Sequence, residues 1–111
     1  MTQIIRGDSL TLTAKFTGVD LTGWKWSYTL KSLVDSDSAD SAALLKFGPT
    51  AASAGEIAAA EFSHTFGAAD TDDLPVGFAY QDFQFENAAG LISSIPAEKV
   101  EILGDVTRRI V

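Results

Sequence analysis

An all-β chain folded as two packed sheets is the expectation from three features of this sequence. Several segments alternate apolar and polar residues with period two, turn residues recur between them at short intervals, and no segment sustains a long helical period. The result is an antiparallel β-sandwich of about seven short strands with one short helical turn. A length of 111 residues suits a single domain, 1–111, built around one core.

The clearest alternation is Ser9-Leu10-Thr11-Leu12-Thr13-Ala14-Lys15-Phe16, which places Leu10, Leu12, Ala14 and Phe16 on one face of a strand. Gly18 to Gly23 suits a turn, and Trp24-Lys25-Trp26-Ser27-Tyr28-Thr29-Leu30-Lys31 alternates again with its aromatics on one side. Val34 to Ser41 is polar, acidic and without period, and reads as a mobile loop. Leu44 to Phe47 predicts a short strand ending at Gly48-Pro49. Ala51 to Ala60 permits a helix, but Gly55 interrupts it between β-patterned flanks; a loop is expected there, with helix as the alternative.

Ala60, Phe62, His64 and Phe66 alternate with polar residues and predict another strand. Asp70 suits the start of one helical turn, closed by Pro75. From Gly77 to Glu86 both faces of the pattern carry aromatics, with Phe83 and Phe85 on one and Phe78 and Tyr80 on the other. This is the pattern of a central strand or of an exposed apolar patch. Asn87 to Gly90 is a compact turn, and Leu91–Ile95 and Lys99–Leu103 predict the last two strands around Pro96.

Composition narrows the function. The chain has no cysteine, so it has neither a disulfide framework nor a thiolate site. A net charge of −7 repels phosphate backbones, so no nucleic-acid partner is expected. The longest apolar runs fall far below the roughly 20 residues that span a bilayer, and no basic-then-apolar leader opens the sequence, so no membrane partner is expected.

Each chemical motif meets a plainer structural reading. Arg6-Gly7-Asp8 spells an integrin-binding tripeptide, but its place before a strand suits a turn in which Gly7 supplies backbone freedom. Asp35, Asp37 and Asp40, or Asp70, Asp72 and Asp73, offer oxygen ligands, yet the glycine and glutamate spacing of a helix–loop–helix calcium site is missing. No metal or cofactor is expected. His64 lies on an apolar face with no nucleophile elbow to deliver Ser63 or Ser94 to it. Glu56, Glu61, Asp82, Glu86 and Glu101 read as surface carboxylates rather than an acid–base pair, and no catalytic residue is assigned. Trp24, Trp26 and Tyr28 at alternate positions fit either a sugar platform or, better, the space between two sheets. Phe78 and Tyr80 are the stronger pointers to an assembly contact.

Three segments in order carry a resemblance: Ile5-Arg6-Gly7-Asp8-Ser9-Leu10-Thr11-Leu12, Val19-Asp20-Leu21-Thr22-Gly23-Trp24, and Leu74-Pro75-Val76-Gly77-Phe78-Ala79-Tyr80-Gln81-Asp82 running on to Gly104-Asp105-Val106-Thr107-Arg108. An opening G-D-S, a D-L-T-G turn, an L-P-x-G lead into an aromatic strand and a closing D-V-T resemble the immunoglobulin-like domain of tailed-bacteriophage virion proteins. The pattern is similar to the N-terminal domain of baseplate upper proteins and to related small tail and head-fibre modules. The chain departs from it at Gln81, where the family usually carries an aromatic residue, and in the longer alanine-rich stretch from Ala51. The sequence stops soon after Asp105-Val106-Thr107, where larger relatives continue, so a stand-alone module is expected.

The resemblance implies an immunoglobulin-like sandwich and a non-enzymatic structural role in a virion assembled in the host cytoplasm. Its partners would be other virion proteins around a symmetric tail, baseplate or neck, with the chain itself a homo-oligomer there. Phe78, Tyr80, Arg108, Arg109, Ile110 and Val111 are the candidate interface residues. A capsid decoration protein is the alternative within this class, and a carbohydrate-binding module the alternative outside it.

Overall fold

Alternation becomes structure in a computed structural model that describes residues 2–32 and 43–104. Among these residues seven strands and two short helices follow in order: β1 (Thr2–Ile5), β2 (Leu10–Lys15), β3 (Lys25–Ser32), β4 (Leu45–Ala51), α1 (Ala54–Ala59), β5 (Glu61–Phe66), α2 (Ala68–Thr71), β6 (Gly77–Glu86) and β7 (Ile92–Leu103). A five-stranded sheet in the order β1-β7-β6-β3-β4 packs on a two-stranded sheet, β2-β5. The chain is an all-β sandwich.

Period-two patterning decides what lies between the sheets. From the large sheet, Trp26, Tyr28 and Leu30 of β3, Ala79 and Phe85 of β6, and Val100 and Ile102 of β7 are buried. From the small sheet, Leu12, Phe62 and Phe66 meet them. Aromatic contacts cross the gap in sequence: Trp26 stacks on Phe62 with centroids 5.2 Å apart, Tyr28 leans on Phe66 at 5.9 Å, and Phe47 stacks on His64 at 3.8 Å.

Four local expectations are corrected. The first concerns β1, which has no counterpart among the expected strands and pairs in parallel with β7, Ile4 beside Ile102, so the large sheet is mixed rather than wholly antiparallel. The second concerns β4, which does not stop at Gly48-Pro49. It runs on to Ala51 through a bulge between the Trp26–Thr50 and Tyr28–Phe47 pairs. Gly48 permits this: its φ is +79°, and a Cβ there would collide with the Trp26 carbonyl. Pro49 is tolerated because β4 is an edge strand.

The third correction makes one strand of the two expected around Pro96. β7 continues past it, with a register shift opposite Gln81–Phe83 taking up the extra residue. The fourth resolves the alanine-rich stretch as the helix α1. Ser53 accepts from the Glu56 amide and Glu56 reaches back to the Ser53 amide at 2.8 Å, a capping box that starts the helix, and Ala60 ends it in left-handed conformation. With α2 there are therefore two helical turns, not one. The acidic stretch from Val34 to Ser41 lies outside the described residues.

The expected turns form. Asp20 accepts from the Thr22 amide at 3.0 Å and its hydroxyl at 2.7 Å, which holds the Asp20 carboxyl below its ordinary range, while Leu21 between them is fully buried. Asn87 accepts from the amides of Ala89 and Leu91 to tighten the β6–β7 hairpin. Asp70 does not cap from the start of its turn; it sits inside α2 and takes the Gly67 amide at 3.0 Å.

Two buried polar contacts join distant parts of the chain. The Thr71 hydroxyl accepts from the Gly7 amide at 3.1 Å and donates to the Asp8 carbonyl at 2.7 Å, fastening the β1–β2 turn to α2. Thr71 is fully buried, so Thr71→Val leaves the Gly7 amide without its partner. Urea unfolding of that variant is expected to show a loss of about 1–3 kcal/mol.

The Tyr28 hydroxyl donates to the Gln81 amide oxygen at 2.8 Å, in the core. Gln81 thus supplies the acceptor that a buried phenol requires. Burial, and secondarily the Glu98 carboxylate, push the Tyr28 phenol far above its ordinary value of 10.0. An unfolded chain ionises this phenol first, so its stabilisation is complete below pH 10.0 and falls as pH rises beyond it. Denaturant titrations at pH 8 and above 10 are expected to give a steeper alkaline loss for the wild type than for Tyr28→Phe, by up to about 1.4 kcal/mol per pH unit.

Candidate functional site

β6 lies between β7 and β3, so its two aromatic faces part company. Phe83 and Phe85 turn inward to the core, whereas Phe78 and Tyr80 stand on the opposite, outer face of the sheet. Phe78 is 44% exposed and Tyr80 is half-buried. Both readings of this strand, central and patch-bearing, therefore hold at once.

Cross-strand register builds the surroundings of these two rings. Tyr80 lies opposite Lys31 on β3 and Lys99 on β7, while Phe78 lies opposite Glu101. The Lys99 ammonium sits 4.3 Å from the Phe78 ring centre, a cation–π contact at an exposed site. At the end of the same face Ile5 and Val76 are exposed, and Ile5 is paired with Leu103. The result is an apolar surface framed by Lys31, Lys99 and Glu101. Pattern reading found Phe78 and Tyr80 but not Ile5, Val76 or Lys99; the Ile4-Ile5 pair was the available signal, with one residue turned to each face of β1. Arg108, Arg109, Ile110 and Val111 lie outside the described residues.

Other candidate residues are committed elsewhere. Trp26 is 1% exposed and Trp24 packs against Phe16 at 5.4 Å, so the alternating tryptophans face the core and form no surface platform. Ser63 faces outward while His64 is sandwiched inward against Phe47 and Phe66, so neighbouring positions put them on opposite faces of β5. Glu56 is spent on the α1 cap and on the Ser63 amide at 2.8 Å, Glu86 faces Lys25 at 4.0 Å, and Glu101 accepts from Gln3 at 3.3 Å. Gly7 of the Arg6-Gly7-Asp8 turn is buried against α2 rather than held out to solvent. Among the described residues no three histidine or carboxylate side chains gather as a metal would require. Asp35, Asp37 and Asp40 lie outside them.

No known protein family matches this sequence, and no curated protein matches it either.

An exposed ring that serves contact rather than packing is separable from the core by mutation. Phe78→Ser is expected to shift stability by no more than about 1 kcal/mol, since the side chain lies on an uncovered face. Phe85→Ala, 3% exposed and edge-on to Phe16 at 4.9 Å, is expected to lose about 3–5 kcal/mol. Urea midpoints of the two variants measure the contrast.

Proposed function

We propose that this chain is a non-enzymatic structural protein of a tailed-phage virion, docking on a symmetric tail, baseplate or neck assembly. Its virion setting rests on the three ordered sequence segments that resemble the immunoglobulin-like domain of tailed-phage virion proteins. The observation that carries the docking role is Phe78, an aromatic side chain exposed near the start of the central strand β6, on a sheet face that no described element covers. Exposed apolar surface on a sheet face is costly in water and gains from burial against a partner at roughly 25 cal/mol per Å².

Mechanism here means contact rather than turnover. Phe78, Tyr80 and Ile5 supply the apolar centre of the docking face, and the lysines around them supply a polar rim. The strands beneath hold these side chains in fixed register, so little conformational freedom is lost when the face is covered.

Immunogold electron microscopy of intact virions with antibody to this chain tests the reading. Label on the tail tip, baseplate or neck is the expected result. Label spread over the head would instead assign capsid decoration, and a chain absent from both intact and denatured virions would overturn the virion role.

A further inference from the structure

One edge of the large sheet is closed along only part of its length. β7 has β6 along one side, whereas β1 on the other side pairs with residues 100–103 alone. Pro96 and the register shift opposite Gln81–Phe83 interrupt the middle of that edge, since proline has no N–H to offer and a bulge breaks the ladder. Among the described residues the stretch 92–95 is therefore left open. It is also apolar and uncharged: Leu91, Ile92 and Ile95 are all exposed, and no ionisable side chain occurs in residues 87–97.

The ladder fixes what this edge offers. The Asn87 amide donates to the Leu91 carbonyl at 3.0 Å, so these two residues turn their backbone groups toward each other and the next pair, Glu86–Ile92, turns them apart. By the same alternation Phe85 and Ser93 bond each other, and Gln84 and Ser94 do not. Ile92 and Ser94 thus point their N–H and C=O groups away from β6, toward the open edge. Their complement is another extended strand.

A second copy of the same strand, laid antiparallel, satisfies these groups in one register. With Ser93 opposite Ser93 of the second copy, Ile92 meets Ser94 of the second copy, the two exchange both hydrogen bonds, and a two-fold axis repeats the pair. A slide of one residue opposes the outward groups to inward-turned ones. A slide of two sets Ser94 against Gly90, in the hairpin turn at a φ of +85°, or Ile92 against Pro96, which has no N–H. Side chains agree with this register. Ser93 and Ile95 lie on the core side of the sheet with Phe85 and Phe83, and Leu91 joins them by period two. Leu91 then lies opposite Ile95 of the second copy in both halves of the contact, so each exposed aliphatic side chain meets another, and no charge on either copy opposes the approach.

We infer that the open edge of β7 at residues 92–95 pairs antiparallel with the same edge of a second copy of this chain, about a two-fold axis at Ser93, joining two five-stranded sheets into one. The contact uses a strand edge and stands apart from the docking role of Phe78 and Tyr80. An edge this short buries little surface, so the dimer belongs to the weak, concentration-dependent class.

The sequence has no cysteine, so one introduced thiol reports the contact. Ser93→Cys sets two thiols on a pair whose Cα atoms approach to about 4.5 Å, within the span of a disulfide. In a glutathione redox buffer at high protein concentration, its disulfide dimer is expected to form at least roughly tenfold faster than that of Ser63→Cys, at an exposed serine of β5. Charge supplies a second readout. Ser93→Glu and Ser93→Lys each set like charges across the axis and are expected to sediment as monomers, while their equimolar mixture associates. Wild-type circular dichroism spectra are expected for all four variants, whose serines are exposed.

Disulfide formation no faster from Ser93→Cys than from Ser63→Cys would overturn the inference. So would an equimolar mixture of the two charge variants that associates no better than either alone.

Discussion

Everything in this sandwich is arranged around the Trp26 ring. It stacks on Phe62 from the facing sheet and lies nearly parallel to Phe83 and Phe85 from the neighbouring strand, with Phe47 edge-on at 5.1 Å. One side chain thus touches β4, β5 and β6 together. Its indole N–H has no hydrogen-bond partner among the described residues, so the ring is held by packing alone. A sheet of only two strands cannot cover five, and the large rings compensate by filling the gap where the small sheet lies. Among the described residues no second layer lies over the outer face.

The parts of this fold legible in the sequence are those whose cause is local. Leu10, Leu12 and Ala14 alternate because one face of β2 is buried, and the same rule exposes β3, β5 and β6 to pattern reading. The Asp20-Leu21-Thr22-Gly23 and Asn87 turns announce themselves because their side chains bond their own backbone. What is missed depends on distant or specialised partners. Four residues of β1 have no pattern to read and become a strand only beside β7. Pro49 and Pro96 look like strand ends and are instead absorbed where the ladder shifts register. The α1 helix was marked all along by serine and glutamate three apart at positions 53 and 56, a signal outweighed by the β-rich flanks.

The outer face of the large sheet divides in the same way. Phe78 and Tyr80 are visible because two aromatic faces on one strand exceed what a small core can bury. The lysines around them are not, because Lys31, Tyr80 and Lys99 are far apart in sequence and become one row only through cross-strand register. The tryptophans show the opposite case: two rings at alternate positions fit the space between two sheets better than a platform, and the facing sheet is what turns them inward.

Parallel pairing of β1 with β7 sets an order of events during synthesis. Gln3 and Glu101, joined by a hydrogen bond, are 98 positions apart. During synthesis β1 must therefore wait for β7 to arrive, and until then one edge of the large sheet is unfinished. Such long-range closure slows folding, since loop entropy is lost before the contact returns it. It also acts as a check on completeness: a nascent chain interrupted before Val100 can form its inner hairpins but has nothing against which to seat Ile4, and its unsealed edge marks it as unfinished to any protease or chaperone that reads exposed backbone.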